Sequence, residues 1–149
     1  MVKQADVLSI HVPLRAETVG LVSERWIRMM KRGAIIINTA RGKIIDEEAM
    51  IRALEDGHVC GFFSHFCNQL TKCPEQLAAV GLDVFPNEPE VNPRLLQFPN
   101  VTLLPHMGTE TKDTQKVMEI RALTNLKDFL TSGMGQDLVP EHKPATPKL

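Results

Sequence analysis

Four short apolar runs, separated by stretches of helical periodicity, limit the folds open to this chain more than any other feature. They are 6–12 (DVLSIHV), 34–38 (AIIIN), 79–84 (AVGLDV) and 101–104 (VTLL). Runs this short and rich in β-branched residues read as strands. The first is continuous enough for a strand buried on both faces, and Pro13 stops it. The second reads as a central strand. After the first run, Ser23 offers an N-cap to a helix over 24–31, with Trp26, Ile27 and Met30 on one face and Lys31-Arg32-Gly33 closing it. After the second, Asp46 offers another N-cap, and Glu47 and Glu48 put negative charge on the first turn, where the helix dipole favours it. Met50, Ile51 and Leu54 give that helix its apolar stripe, and Gly57 ends it. A last helix is expected over 110–131, with Val117, Ile120, Leu123, Leu126 and Leu130 at helical spacing and Gly133 beyond its end. The tail from Pro140, with Pro144 and Pro147, is expected to be mobile.

Strands alternating with helices predict an α/β layer fold with parallel pairing. In such sheets ligands bind outside the carboxyl ends of the strands. That rule selects His11-Val12-Pro13, Thr39-Ala40-Arg41-Gly42, Pro86-Asn87-Glu88-Pro89 and Pro105-His106-Met107-Gly108. A cation, a carboxylate and an imidazole thus fall on one edge.

Composition excludes several other functions. With 17 basic against 18 acidic residues, a nucleic-acid or acidic-membrane partner has no electrostatic basis. The absence of tyrosine and a lone Trp26 argue against a stacking platform for single strands. No apolar stretch is long enough to span a bilayer, and Asp6 interrupts what a secretory leader would need. The three cysteines, 60, 67 and 73, are odd in number and match no paired zinc spacing, so no metal is expected and the setting reads as reducing and cytoplasmic.

His106 with Glu88 is a candidate acid–base pair. A carboxylate beside an imidazole stabilises the imidazolium and keeps a proton available near neutral pH. Such a proton can go to a carbonyl oxygen as hydride reaches its carbon. Arg41, planar and always charged, suits a substrate carboxylate held by two hydrogen bonds. These are the parts needed to reduce a 2-keto acid with a nicotinamide cofactor. Each also has a plainer reading: a surface histidine, a surface ion pair, a solvated turn. Asp83 resists one, because a charge at the end of a buried strand is costly without a partner.

The stretches 6–20 (DVLSIHVPLRAETVG), 33–54 (GAIIINTARGKIIDEEAMIRAL), 81–89 (GLDVFPNEP) and 100–108 (NVTLLPHMG) closely resemble the D-isomer-specific 2-hydroxyacid dehydrogenases. The ordered combination NTARG, GLDVF, EP and PHxG is specific to them. The resemblance implies a Rossmann-type, doubly wound parallel sheet. It implies that Arg41 binds substrate, that Glu88 is the acidic partner, and that His106 is the acid–base histidine. It also implies NAD or NADP contacts at Val12, Thr39, Ala40, Arg41, Asp83, His106, Gly108 and Thr109. Within the family, the turn at 106–109 followed by a Thr- and Lys-rich helix start looks most like the glyoxylate/hydroxypyruvate reductases. The small-molecule partner would then be a 2-keto or 2-hydroxy acid.

Set against that family, residues 1–132 read as the second half of the dinucleotide-binding domain, opening near its fourth strand, and 133–149 as a tail. No GxGxxG occurs; Gly133-Met134-Gly135 follows a helix and not a strand. NAD and NADP both stay open. The family runs directly from the helix-ending glycine to the next strand, whereas here 59–76 (VCGFFSHFCNQLTKCPEQ) intervenes, holding all three cysteines and three of the six phenylalanines. This segment reads as a surface loop with an apolar, partner-binding tip, or as a retained intron. Val59-Cys60 is encodable as a splice donor, Leu70-Thr71-Lys72 as a branch point and Gln76 as an acceptor.

Hydride transfer is therefore the leading expectation, weak or absent in this chain alone. The alternative is a non-catalytic NAD-sensing or dimerising module like the family's corepressors. A formate dehydrogenase fits less well, because the acidic partner of its histidine is not typically a carboxylate. The resemblance also implies a homodimer formed through the cofactor domain.

Overall fold

The computed structural model describes residues 2–55 and 78–138. The expectations for Gly57, for the 59–76 segment and for the tail from Pro140 lie outside the described residues. The chain divides into two compact units, Met1–Met107 and Gly108–Leu149.

The first unit is a four-stranded parallel sheet in the order β1 (Val7–Ile10), β2 (Ile35–Asn38), β3 (Ala79–Leu82) and β4 (Val101–Leu103). Registers run in step, with Leu8 opposite Ile36, Ile36 opposite Val80, and Val80 opposite Val101. β2 and β3 alternate strictly between half-buried and buried residues, the pattern of strands with one face covered. The covered face carries Ile36, Val80 and Leu82. Over the core lie α1 (Glu24–Met29), which buries Ile27, and α2 (Glu47–Glu55), which buries Ala49, Met50, Ile51, Ala53 and Leu54. These helices also pack against each other.

Local signals place the helix ends. The Asp46 carboxylate accepts the Ala49 N–H at 3.0 Å, capping α2 as its position suggests. α1 stops at Met29, two residues short of its expected end; Met30 is extended and its N–H bonds back to the Ile27 carbonyl. Ser23 occupies the N-cap position without a side-chain cap bond.

One expectation is overturned. β1 is not buried on both faces: Val7 is 51% exposed and Ser9 is exposed, while Ile10 alone is buried. Among the described residues β1 pairs only with β2, so it is an edge strand. An apolar run reports a strand's composition and cannot report what lies beside it.

In the second unit, Thr111 caps α3 (Lys112–Ser132) by accepting the Thr114 N–H, and Gly133 ends it in the left-handed conformation at φ 75°. α3 buries none of its residues. Among the described residues no helix is long and apolar enough to cross a membrane.

Candidate active site

The strand ends of the first unit supply the site. β2 finishes in Asn38, which is fully buried. Its Oδ1 accepts the Ala40 N–H at 3.1 Å and its Nδ2 donates to the Arg41 carbonyl at 3.0 Å. One side chain thus closes the 39–41 loop on itself, as short amides do where a backbone turns. The loop presents Arg41 to solvent, where Nη1 donates to the Ala40 carbonyl at 2.6 Å. Among the described residues its guanidinium pairs with no carboxylate.

Gly42 follows and is buried. A Cβ here would overlap the Phe85 carbonyl and the Pro86 nitrogen, so only glycine allows the two backbones to touch. That contact brings the loop after β2 against the segment after β3. There the Phe85 N–H donates to Glu88 Oε1 at 2.9 Å, and Glu88 Oε2 lies 2.7 Å from His106 Nδ1. The hydrogen bond from His106 is the main cause holding the Glu88 carboxyl below its ordinary value of 4.5; the Phe85 N–H adds to it, and the Arg41 charge acts in the same sense. An ionised carboxylate only accepts, so Nδ1 carries the proton of this bond and Nε2 is left for chemistry.

His106 has φ 53°, the one positive value on a non-glycine among the described residues. Histidine tolerates this region better than most residues, and such backbone clusters at working sites. The neighbouring amide is held from below: Asp83, only 4% exposed, accepts the Met107 N–H at 2.8 Å. The carboxylate at the strand end is therefore partnered, as its burial requires.

Two clefts open along this edge. One, of about 710 Å³, gathers Arg41, Glu88 and His106 with Leu14, Lys43 and Asn87 on its walls. The other, of about 470 Å³, is lined by His11, Val12, Thr39 and Ala40, and Arg41 borders both. The three residues expected to be catalytic thus share one cavity, and four of those expected to contact a cofactor line its neighbour. Asp83 lines neither. Gly108 and Thr109 open the second unit and are exposed there. Sequence reasoning placed Asn38 and Gly42 in the matched motif but gave neither a role. Their signal was present: a polar residue ending an apolar run, and a glycine directly after the arginine.

Comparison with known proteins accords with this geometry. Residues 1–69 match the family model of the D-isomer specific 2-hydroxyacid dehydrogenase NAD binding domain. The 4-methyl-2-oxopentanoate reductase A of Aspergillus oryzae is 40% identical over 143 residues, which is 96% of this chain and 38% of that protein. The crystal structure of a glyoxylate reductase from Paecilomyes thermophila superposes with a TM-score of 0.77 at 42% identity, over 95% of this chain and 38% of the other. An NADPH-dependent glyoxylate/hydroxypyruvate reductase from Sinorhizobium meliloti, solved with NADP and malonate, gives a TM-score of 0.78 at 31% identity, over 97% of this chain and 41% of that one. The chain spans about two fifths of these proteins. With its parallel Rossmann-type sheet and its matched motifs, it belongs to the D-isomer-specific 2-hydroxyacid dehydrogenase family, through the NAD-binding domain.

Proposed function

We propose that this site serves hydride transfer between NAD or NADP and a small 2-keto acid such as glyoxylate or hydroxypyruvate. The observation that carries the reading is the 2.7 Å Glu88–His106 pair in the same cavity as the exposed Arg41. Arg41 holds the substrate carboxylate through two parallel N–H bonds, the geometry its planar fork provides. His106 donates the Nε2 proton to the carbonyl oxygen as the carbon is reduced, and Glu88, bonded to Nδ1, orients the ring for that transfer. In the reverse direction His106 takes the hydroxyl proton.

The chain's residues fit one part of a nicotinamide cofactor. The second cleft lies at the carboxyl ends of two adjacent parallel strands, where such ligands sit, and Val12, Thr39 and Ala40 on its wall would hold the group. When bound, the nicotinamide supplies or accepts the hydride. Asp83, Gly108 and Thr109 are further contacts by resemblance alone. The solved Sinorhizobium meliloti relative, with NADP and malonate together, supports a dinucleotide and a carboxylate as joint ligands.

We read 1–132 as part of the NAD(P)-binding domain of a cytoplasmic enzyme, 59–76 as an insertion and 133–149 as a tail. Turnover by the chain alone should be slight, so binding is the decisive assay. Malonate should bind the wild-type chain and lose at least about tenfold in affinity on Arg41→Ala, the scale of one charge-assisted contact. Undiminished binding by that variant overturns the reading. A second reading, a binding module that dimerises through apolar surface, is favoured by the exposed apolar residues of α3. Concentration-dependent self-association abolished by Leu123→Glu, without cofactor binding, would select it.

A further inference from the structure

We infer that Asn38 is the positioning residue of this site, setting the shape of the loop that carries Arg41; the inference rests on reading Arg41 as the carboxylate holder. The argument begins with a broken pattern. Along β2 the residues facing the core are Ile36 and Asn38, both fully buried. Period-two alternation calls for an apolar side chain at 38. A primary amide there is costly unless its donors and acceptor are matched. Local rules are broken in this way where something other than packing is being served.

Both ends of the amide are matched, and both inside one loop. Oδ1 accepts from Ala40 and Nδ2 donates to the Arg41 carbonyl, so the side chain grips the backbone on each side of the peptide joining Ala40 to Arg41. The Asn38 main chain is tied elsewhere: its carbonyl accepts the Asp83 N–H at 3.0 Å. Asp83 in turn holds the Met107 amide next to His106. Asn38 therefore connects the sheet ladder, the arginine loop and, through Asp83, the turn that bears the histidine. The primary amide carries its donor and its acceptor on separate atoms, so one side chain can meet both backbone groups at once. Leucine matches its bulk with neither, and ionised aspartate has only the acceptor.

The test compares the 149-residue wild-type chain with Asn38→Leu, Asn38→Asp and Asn38→Ser, by amide hydrogen exchange and by malonate titration. The wild-type Ala40 amide should be protected although it lies in a loop. Asn38→Leu should speed its exchange about tenfold, the scale of one hydrogen bond, and weaken malonate by about the same factor. The Ile36 and Ile37 amides in the strand should keep their protection. Asn38→Asp should be weak near neutral pH and approach the wild type as the pH falls and its carboxyl regains a proton to donate. That recovery is one a merely structural side chain would not produce. Unchanged Ala40 exchange in Asn38→Leu overturns the inference, as does protection lost equally at Ile36 and Ile37. Where the leucine variant does not fold, Asn38→Ser decides by the same two criteria. Absence of malonate binding by the wild type overturns the carboxylate reading of Arg41, and the exchange comparison still decides the role of Asn38 in the loop.

Discussion

Helix α2 spans nine residues and buries five, whereas α3 spans 21 and buries none. By local criteria α3 is the better helix. It runs past the length below which isolated helices are marginal, its N-cap threonine is bonded, and a left-handed glycine ends it. α2 is too short to persist alone and depends on Met50, Ile51 and Leu54 meeting the sheet. Its apolar residues form one stripe. Those of α3, from Val117 and Met118 through Leu126 to Phe129 and Leu130, lie on every side of the helix and are all exposed. Such a pattern belongs to a helix packed on more than one face. Helix formation and helix burial are thus separate properties, and this chain carries each without the other.

The comparison can be broken most directly in the core. Ile51→Ala should cost about 2–5 kcal/mol in urea unfolding, because the fully buried side chain leaves a cavity. Leu123→Ala in α3 should cost no more than about 0.5 kcal/mol. Similar losses at both would mean that α3 packs as tightly as α2.

A smaller effect is expected at Gly42. Gly42→Ala forces a methyl group into the Phe85–Pro86 backbone, and should destabilise by about 1–3 kcal/mol while weakening malonate binding. Loss of stability with unchanged binding would separate the loop contact from the site.

The smallest effects are electrostatic and opposite in sign. Burial is the main cause raising the Glu47 carboxyl above 4.5, with Glu48 adding to it and a hydrogen bond from Asn92 opposing it; one Glu47 oxygen is buried without a partner. Its ionised form is therefore disfavoured on folding, and the stability it leaves intact below pH 4.5 is lost as the pH rises through the raised value. Glu47→Gln should be slightly more stable than wild type at neutral pH and equal to it below pH 4.5. Glu88 runs the other way. Its lowered carboxyl contributes stability above pH 4.5, which disappears as the pH falls through the lowered value. Glu88→Gln should be slightly less stable at neutral pH and should match the wild type in acid. The Glu88 side chain keeps 34% of its surface open to solvent, which keeps that difference small.

Much of this was legible in the residues. The run at 34–38 did prove central, Asp46 and Gly133 did mark helix ends, and the carboxyl-end rule brought Arg41, Glu88 and His106 into one cavity. Each depends on local pattern or on a topological rule. What escaped depends on neighbours far along the chain. Whether Val7 is covered turns on which strand lies beyond β1, and whether Leu123 is covered turns on what packs on α3. The backbone contact of Gly42 joins segments more than forty positions apart, so no window of sequence contains it. Asn38 is the intermediate case: its partners are only two and three residues away, but its burial, which gives those bonds their weight, is tertiary.

The meeting of Gly42 with Phe85 and Pro86 also bears on how such a site can diversify. Two main chains in direct contact set the gap between the arginine loop and the Glu88–His106 pair, so no exchange of side chains can widen or narrow it. New specificity must come from the cavity wall, where Leu14, Lys43 and Asn87 can change in size and charge without disturbing that gap. The spacing of Arg41 from Glu88 and His106 is tied to the backbone, and the shape of the entrance is left to replaceable side chains.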